Sequence, residues 1–95
     1  MVASRVRVAR RYLISGRVQG VGYRYFAQSA AEREGVAGWV RNLPDGRVEA
    51  LAAGEPEAVD RFAGWLKNGP RHSHVDAVEV TAVTPAGDNS GFSIR

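Results

Sequence analysis

The sequence predicts an α+β fold: a ferredoxin-like βαββαβ sandwich with a four-stranded antiparallel sheet, two helices on one face and a short C-terminal edge strand. Three observations predict it. Apolar residues alternate with period two between Tyr12 and Val18, three further runs read as strands, and apolar residues recur with helical spacing in two others. Gly35 and the pair Gly69-Pro70 stand just past the helical runs, where they stop them. The 95 residues suffice for one core two layers thick, so a single domain spanning 1–95 is expected.

Each element has its own warrant. Between Tyr12 and Val18, Tyr12, Ile14 and Val18 share one face with Gly16 in phase, while Leu13, Ser15 and Arg17 take the other, as in a half-buried strand. The preceding MVASRVRVARR is Arg-rich and acid-poor and reads as a solvated lead-in rather than a targeting segment. From Tyr23 to Glu34, Phe26, Ala27, Ala30 and Ala31 form one helical stripe, and Gly35 is placed as a left-handed cap. Val36 to Leu43 reads as a second strand and Arg47 to Ala53 as a third, joined by the turn Leu43-Pro44-Asp45-Gly46 into a hairpin. Glu55-Pro56 opens the second helix, with Pro where a missing N–H matters least, and Val59, Phe62, Ala63 and Leu66 make its inward stripe. Val75 to Val83 is a fourth strand with Val78 and Val80 on one face, and Phe92 and Ile94 alternate in the closing edge strand, Gly91 to Arg95. Asp88-Asn89-Ser90 reads as a loop, Glu32, Arg33 and Glu34 as a solvated helix face, and Trp39 and Trp65 as packing residues.

Composition narrows the chemistry. The 13 Lys+Arg and 10 Asp+Glu leave +3, too mild a charge to choose between RNA, a membrane surface and a small anion. The chain has no cysteine, which excludes disulfides, thiolate metal sites and a cysteine nucleophile. No apolar run reaches the length of a signal-peptide core or a membrane span, so a cytoplasmic location and no membrane partner are expected. His72 and His74 share one strand face or one loop, with Asp76 as the one carboxylate near them in sequence. They read as exposed histidines, and neither a metal nor a cofactor is expected.

The stretch GRVQGVGYR, Gly16 to Arg24, has three glycines and two arginines but no Ser, Thr, Cys, Asp, Glu or His. It lies between a strand end and a helix start, where unpaired N–H groups and the helix dipole favour an anion. Glycine lets successive N–H groups turn inward as a nest, and the Arg24 guanidinium fork matches two oxygens of a phosphate or carboxylate. The candidate guest is a small dianion held by Arg24 and by the amides of Gln19, Gly20, Val21, Gly22, Tyr23 and Arg24. The same spacing also serves a purely structural turn, and no Gly-Lys-Ser/Thr follows to make a Walker loop. Arg17, opposite Ile14, reads as solvated. In Gly38-Trp39-Val40-Arg41-Asn42, Asn42 shares a face with Gly38 and Val40 just before a turn. Its carboxamide either serves that turn or, since it donates and accepts, holds a water molecule.

These residues carry a family resemblance. GRVQGVGYR resembles the first signature of the acylphosphatases, Gly-x-Val-Gln-Gly-Val-x-aromatic-Arg, with Gly16, Val18, Gln19, Gly20, Val21 and Arg24 at its fixed positions and Tyr23 as the aromatic. Gly38, Trp39, Asn42, Gly46, Val48 and Gly54 are similar to the second signature at the right separations. The resemblance implies a small enzyme that hydrolyses the carboxyl-phosphate bond of acyl phosphates without metal, giving a carboxylate and inorganic phosphate, the latter an inhibitor. It implies that Arg24 and the loop amides bind phosphate and that Asn42 orients the attacking water. A monomer acting on a small molecule, with no nucleic-acid partner, is expected.

Two rival readings share the fold. RNA-recognition domains have this element order but display aromatics on the open face of their central strands. Here the first strand offers Leu13, Ser15 and Arg17 there, and the third has no aromatic. A non-catalytic acylphosphatase-like accessory module, as in larger hydrogenase-maturation proteins, is the other rival, because fold alone does not separate the three.

Overall fold

The computed structural model describes residues 6–85 and 91–95. Its elements run β1 (Val8–Arg17), α1 (Tyr23–Glu34), β2 (Ala37–Asn42), β3 (Val48–Gly54), α2 (Pro56–Asn68), β4 (His74–Val83) and β5 (Phe92–Ile94). The sheet has five strands in the order β4-β1-β3-β2-β5. The first four pair antiparallel, and β5 lies parallel to β2 at the edge. Arg95 N–H to Val40 O (2.8 Å) and Gly38 N–H to Gly91 O (3.0 Å) extend that last pairing.

Period two decides which face meets the helices. Tyr12 pairs with Ala50, and Ala50 with Val40, so these side chains stand together on one face. With Ile14 and Val48 they are wholly buried against Ala27, Ala30 and Ala31 of α1 and Val59, Phe62 and Leu66 of α2. The alanines let the layers approach closely, and the aromatics fill what remains. Tyr12 meets Phe62 edge-on at 6.0 Å between ring centres, and Phe62 meets Phe92 at 5.6 Å. Phe92 thereby seals β5 to the core, with Ile94 packed beside it.

Several expectations are corrected. β1 begins at Val8, not Tyr12, because β3 and β4 are long enough to pair with the arginine-bearing segment, as in Val8 with Gly54 and Ala9 with Val83. The arginines are tolerated there because each meets a carboxylate: Arg10 pairs with Asp60 of α2, and Arg11 with Glu49 of β3. Residues 1–5 of the expected lead-in, and Asp88-Asn89-Ser90, lie outside the described residues. Tyr23 replaces the half-buried Phe26 in the fully buried stripe of α1. Glu34 is not on a solvated face. It accepts from Arg61 Nε (2.7 Å) and Trp65 Nε1 (2.9 Å) on α2, while the Arg33 guanidinium sits 4.9 Å from the centre of the Trp65 ring. Trp39 lies on the sheet face away from the helices, with the guanidinium groups of Arg41 and Arg95 at 5.3 and 4.8 Å from its ring centre.

Glu49 is a buried carboxylate on that same open face, in register with Leu13 and Arg41. Burial alone disfavours its charge, but Nε–H bonds from Arg11 (2.6 Å) and Arg41 (2.7 Å) outweigh burial and hold its pKa below the usual carboxylate value. The pair of bonds spans β1, β3 and β2. Replacing Glu49 by Gln should lower stability by about 2 kcal/mol near neutral pH, the range for hydrogen bonds to charged groups. A carboxylate with a depressed folded pKa stabilises above its unfolded pKa and loses that contribution as pH falls through the folded value. The difference in urea midpoint between wild type and Glu49→Gln should therefore be full at pH 7 and shrink below about pH 4.

Candidate active site

The segment between β1 and α1 turns sharply because two glycines take left-handed conformations, Gly20 at φ 74° and Gly22 at φ 78°. Gly22 is the N-cap of α1 and has no side chain to close the helix start. The first helical bond is Phe26 N–H to Gly22 O (3.0 Å). No N–H group from Gln19 to Arg24 has a protein acceptor among the described residues. These groups, with the positive end of the α1 dipole, form a concentrated set of unused donors.

Side chains on either side of the loop fix it in place. Val18 and Tyr23 are buried, and the Tyr23 hydroxyl donates to Leu66 O of α2 at 2.7 Å. Burial raises the Tyr23 pKa far above its usual value, so the hydroxyl stays a donor. Gln19 has a role that its place in the motif does not reveal. Its Nε2 donates to both Leu43 O (2.8 Å) and Arg47 O (2.9 Å), the two carbonyls that frame the β2–β3 turn. The signal available in sequence was a glutamine in a glycine-rich loop, but its partners lie more than twenty residues away and no local pattern names them.

Gln19 thereby sets the loop against the end of β2, where Asn42 stands. Asn42 pairs with Val48 and is half-buried on the helix side of the sheet, sharing the face of Val40 as its phase predicts. Its carboxamide makes no hydrogen bond among the described residues. Arg24, half-exposed in the first turn of α1, donates from Nη1 to Arg95 O at 3.3 Å and has no carboxylate partner among the described residues. Arg24, Asn42, Gly20 and Gly22 line one cavity of about 120 Å³, with Val18 and Tyr23 behind and Tyr25 at its side. Of the residues singled out in sequence, Gly20, Gly22, Tyr23, Arg24 and Asn42 are thus brought together, whereas Gln19 and Val21 are not among those lining the cavity.

A second recess, about 550 Å³ and more open, is lined by Arg17, Arg71, His72, Ser73 and His74. His72 lies in the turn before β4 and His74 begins that strand, where Nε2 faces Asp76 Oδ1 at 3.1 Å. Among the described residues, no group of three or more His, Asp or Glu side chains is placed to hold a metal ion.

An α+β sandwich thus carries, on one cavity, backbone N–H groups, an arginine and a carboxamide that have no charged partner among the described residues. The comparisons with known proteins give the family. The acylphosphatase family model matches residues 10–94. An acylphosphatase of Anaeromyxobacter dehalogenans is 54% identical over 89 residues, covering 94% of this chain and 96% of the relative. The crystal structure of acylphosphatase from Bacillus subtilis superposes with a TM-score of 0.89 at 43% identity, over 93% of this chain and 98% of that one. A full-length HypF crystal structure, in a phosphate- and nucleotide-bound form, contains a similar region with a TM-score of 0.84 at 26% identity, covering 98% of this chain but 12% of that one. The chain belongs to the acylphosphatase family.

Gln19→Ala removes both bonds to the hairpin without touching the loop backbone or Arg24. It should lower stability by about 1–2 kcal/mol, since two neutral hydrogen bonds are lost. It should also weaken inorganic phosphate binding, measured by calorimetry, because the donors would no longer be held in place. Unchanged phosphate affinity would show that the loop keeps its shape without the clamp.

Proposed function

We propose that this acylphosphatase-family enzyme hydrolyses acyl phosphates at the cavity described, with the loop amides and Arg24 holding the phosphoryl group and Asn42 aiming the water. The observation that carries the reading is the convergence of free N–H groups, Arg24 and Asn42 on one cavity of about 120 Å³.

The reaction needs little else. The leaving carboxylate has a conjugate acid with a pKa near 4, so it departs without a general acid. Phosphoryl transfer passes through a loose transition state whose charge spreads over the equatorial oxygens, so positioning and charge stabilisation dominate. Water attacks phosphorus as the bond to the carboxylate oxygen breaks, and its proton passes to a phosphate oxygen, leaving carboxylate and inorganic phosphate. Asn42 donates or accepts one hydrogen bond to that water and is not a base at neutral pH. Arg24 and the amides supply the positive charge, and no step is routed through a metal.

Phosphate release from benzoyl phosphate should therefore proceed undiminished in EDTA; loss in chelator with recovery on adding a divalent ion would contradict the mechanism. Arg24→Gln should reduce kcat/KM by about 10²–10³-fold or more and abolish the rise in Tm that phosphate gives the wild type. Asn42→Ala should lower kcat by about 10²-fold while leaving the phosphate inhibition constant nearly unchanged, since misplacing the water harms the rate rather than the binding. Equal losses in rate and phosphate affinity would assign Asn42 to the anion instead.

A further inference from the structure

The cavity is small. At about 120 Å³ it falls well short of the roughly 300–1,000 Å³ of pockets that enclose whole organic ligands. The acyl group of a bound acyl phosphate must then lie outside, against whatever borders the opening.

Tyr25 borders it. On α1, successive side chains are turned by about 100°. Tyr23 points into the core at 2% exposure, Arg24 borders the cavity, and Tyr25, about 200° from Tyr23, faces outward at 70% exposure while still lining the cavity. Its ring also differs from the other aromatic rings in its contacts. Among the described residues, Tyr12, Tyr23, Phe26, Phe62 and Phe92 pack ring against ring, and Trp39 and Trp65 lie beneath guanidinium groups. Tyr25 has neither kind of contact. A large apolar face left open to water at the mouth of a site is a surface for a ligand's apolar part.

We propose that Tyr25 forms an acyl-group subsite, which favours acyl phosphates with aromatic or bulky apolar acyl groups over those with a single methyl. The subsite rests on the cavity being the phosphoryl site. It acts through ground-state contact with the part of the substrate that does not react, so its effect falls on KM rather than on kcat.

The test compares benzoyl phosphate with acetyl phosphate in wild type, Tyr25→Ala and Tyr25→Phe, with inorganic phosphate as a competitive inhibitor of each. In Tyr25→Ala, KM for benzoyl phosphate should rise about 3–10-fold relative to KM for acetyl phosphate, the range expected for one aromatic contact. kcat on benzoyl phosphate should change less than KM. Tyr25→Phe should restore the wild-type ratio, because the ring and not the hydroxyl makes the contact. If the two KM values move together or stay unchanged in Tyr25→Ala, the subsite is refuted while turnover of both substrates leaves the phosphoryl site standing. If the wild type hydrolyses neither substrate, both the subsite and the reading beneath it fall.

Discussion

The side-chain amide of Gln19 is the constraint on which the geometry of the site depends. The loop after β1 and the turn after β2 belong to segments far apart in sequence, and each would otherwise be a mobile surface connection. Leu43 O already accepts from Gly46 N–H at 3.2 Å, and Arg47 O from Leu43 N–H at 2.8 Å. Each carbonyl has a second lone pair, and the two hydrogens of Gln19 Nε2 fill one on each. One carboxamide thus completes the hairpin and fixes the anion loop beside it. Asn42, the residue before Leu43, comes to the cavity wall by the same act.

Charge is distributed in a way that leaves the site positive. Five arginines are neutralised by carboxylates: Arg10 with Asp60, Arg11 and Arg41 with Glu49, Arg47 with Asp45, and Arg61 with Glu34. Among the described residues, Arg24 meets a neutral carbonyl, at Arg95, and no carboxylate. An incoming dianion therefore does not have to displace a carboxylate to reach it. The loop amides likewise have no protein acceptor among the described residues, and Tyr23, tied to Leu66, holds the first turn of α1 on α2. Donors that are fixed beforehand need no reorganisation when charge develops, which is the condition for electrostatic catalysis.

The sequence was legible where physics is local. Period two placed Tyr12 and Ile14 on the buried face of β1, Gly35 ended α1, and Pro56 opened α2, since each signal lies within a few residues of its consequence. The glycine loop and Arg24 were legible for the same reason: a strand end, flexible backbone and a helix start are contiguous. What escaped was set by partners distant in the chain. The strand character of Val8 to Arg11 depends on the lengths of β3 and β4, and on Asp60 and Glu49 to satisfy two arginines. Glu34 looks solvated in its own helix and is enclosed only because Arg61 and Trp65 face it from α2. The side-chain role of Gln19 was hidden likewise, by carbonyls remote in the chain.

The central claim is that the free amides of the loop after β1 are where phosphate binds. The most direct measurement is a titration of the ¹⁵N-labelled protein with inorganic phosphate, followed by amide proton and nitrogen shifts. The account predicts saturable downfield proton shifts largest at Gln19 to Arg24, as those N–H groups gain an acceptor, together with a change at the Arg24 guanidinium. Saturable shifts centred instead on Arg17, Arg71, His72 and His74, with the loop amides unmoved, would contradict it.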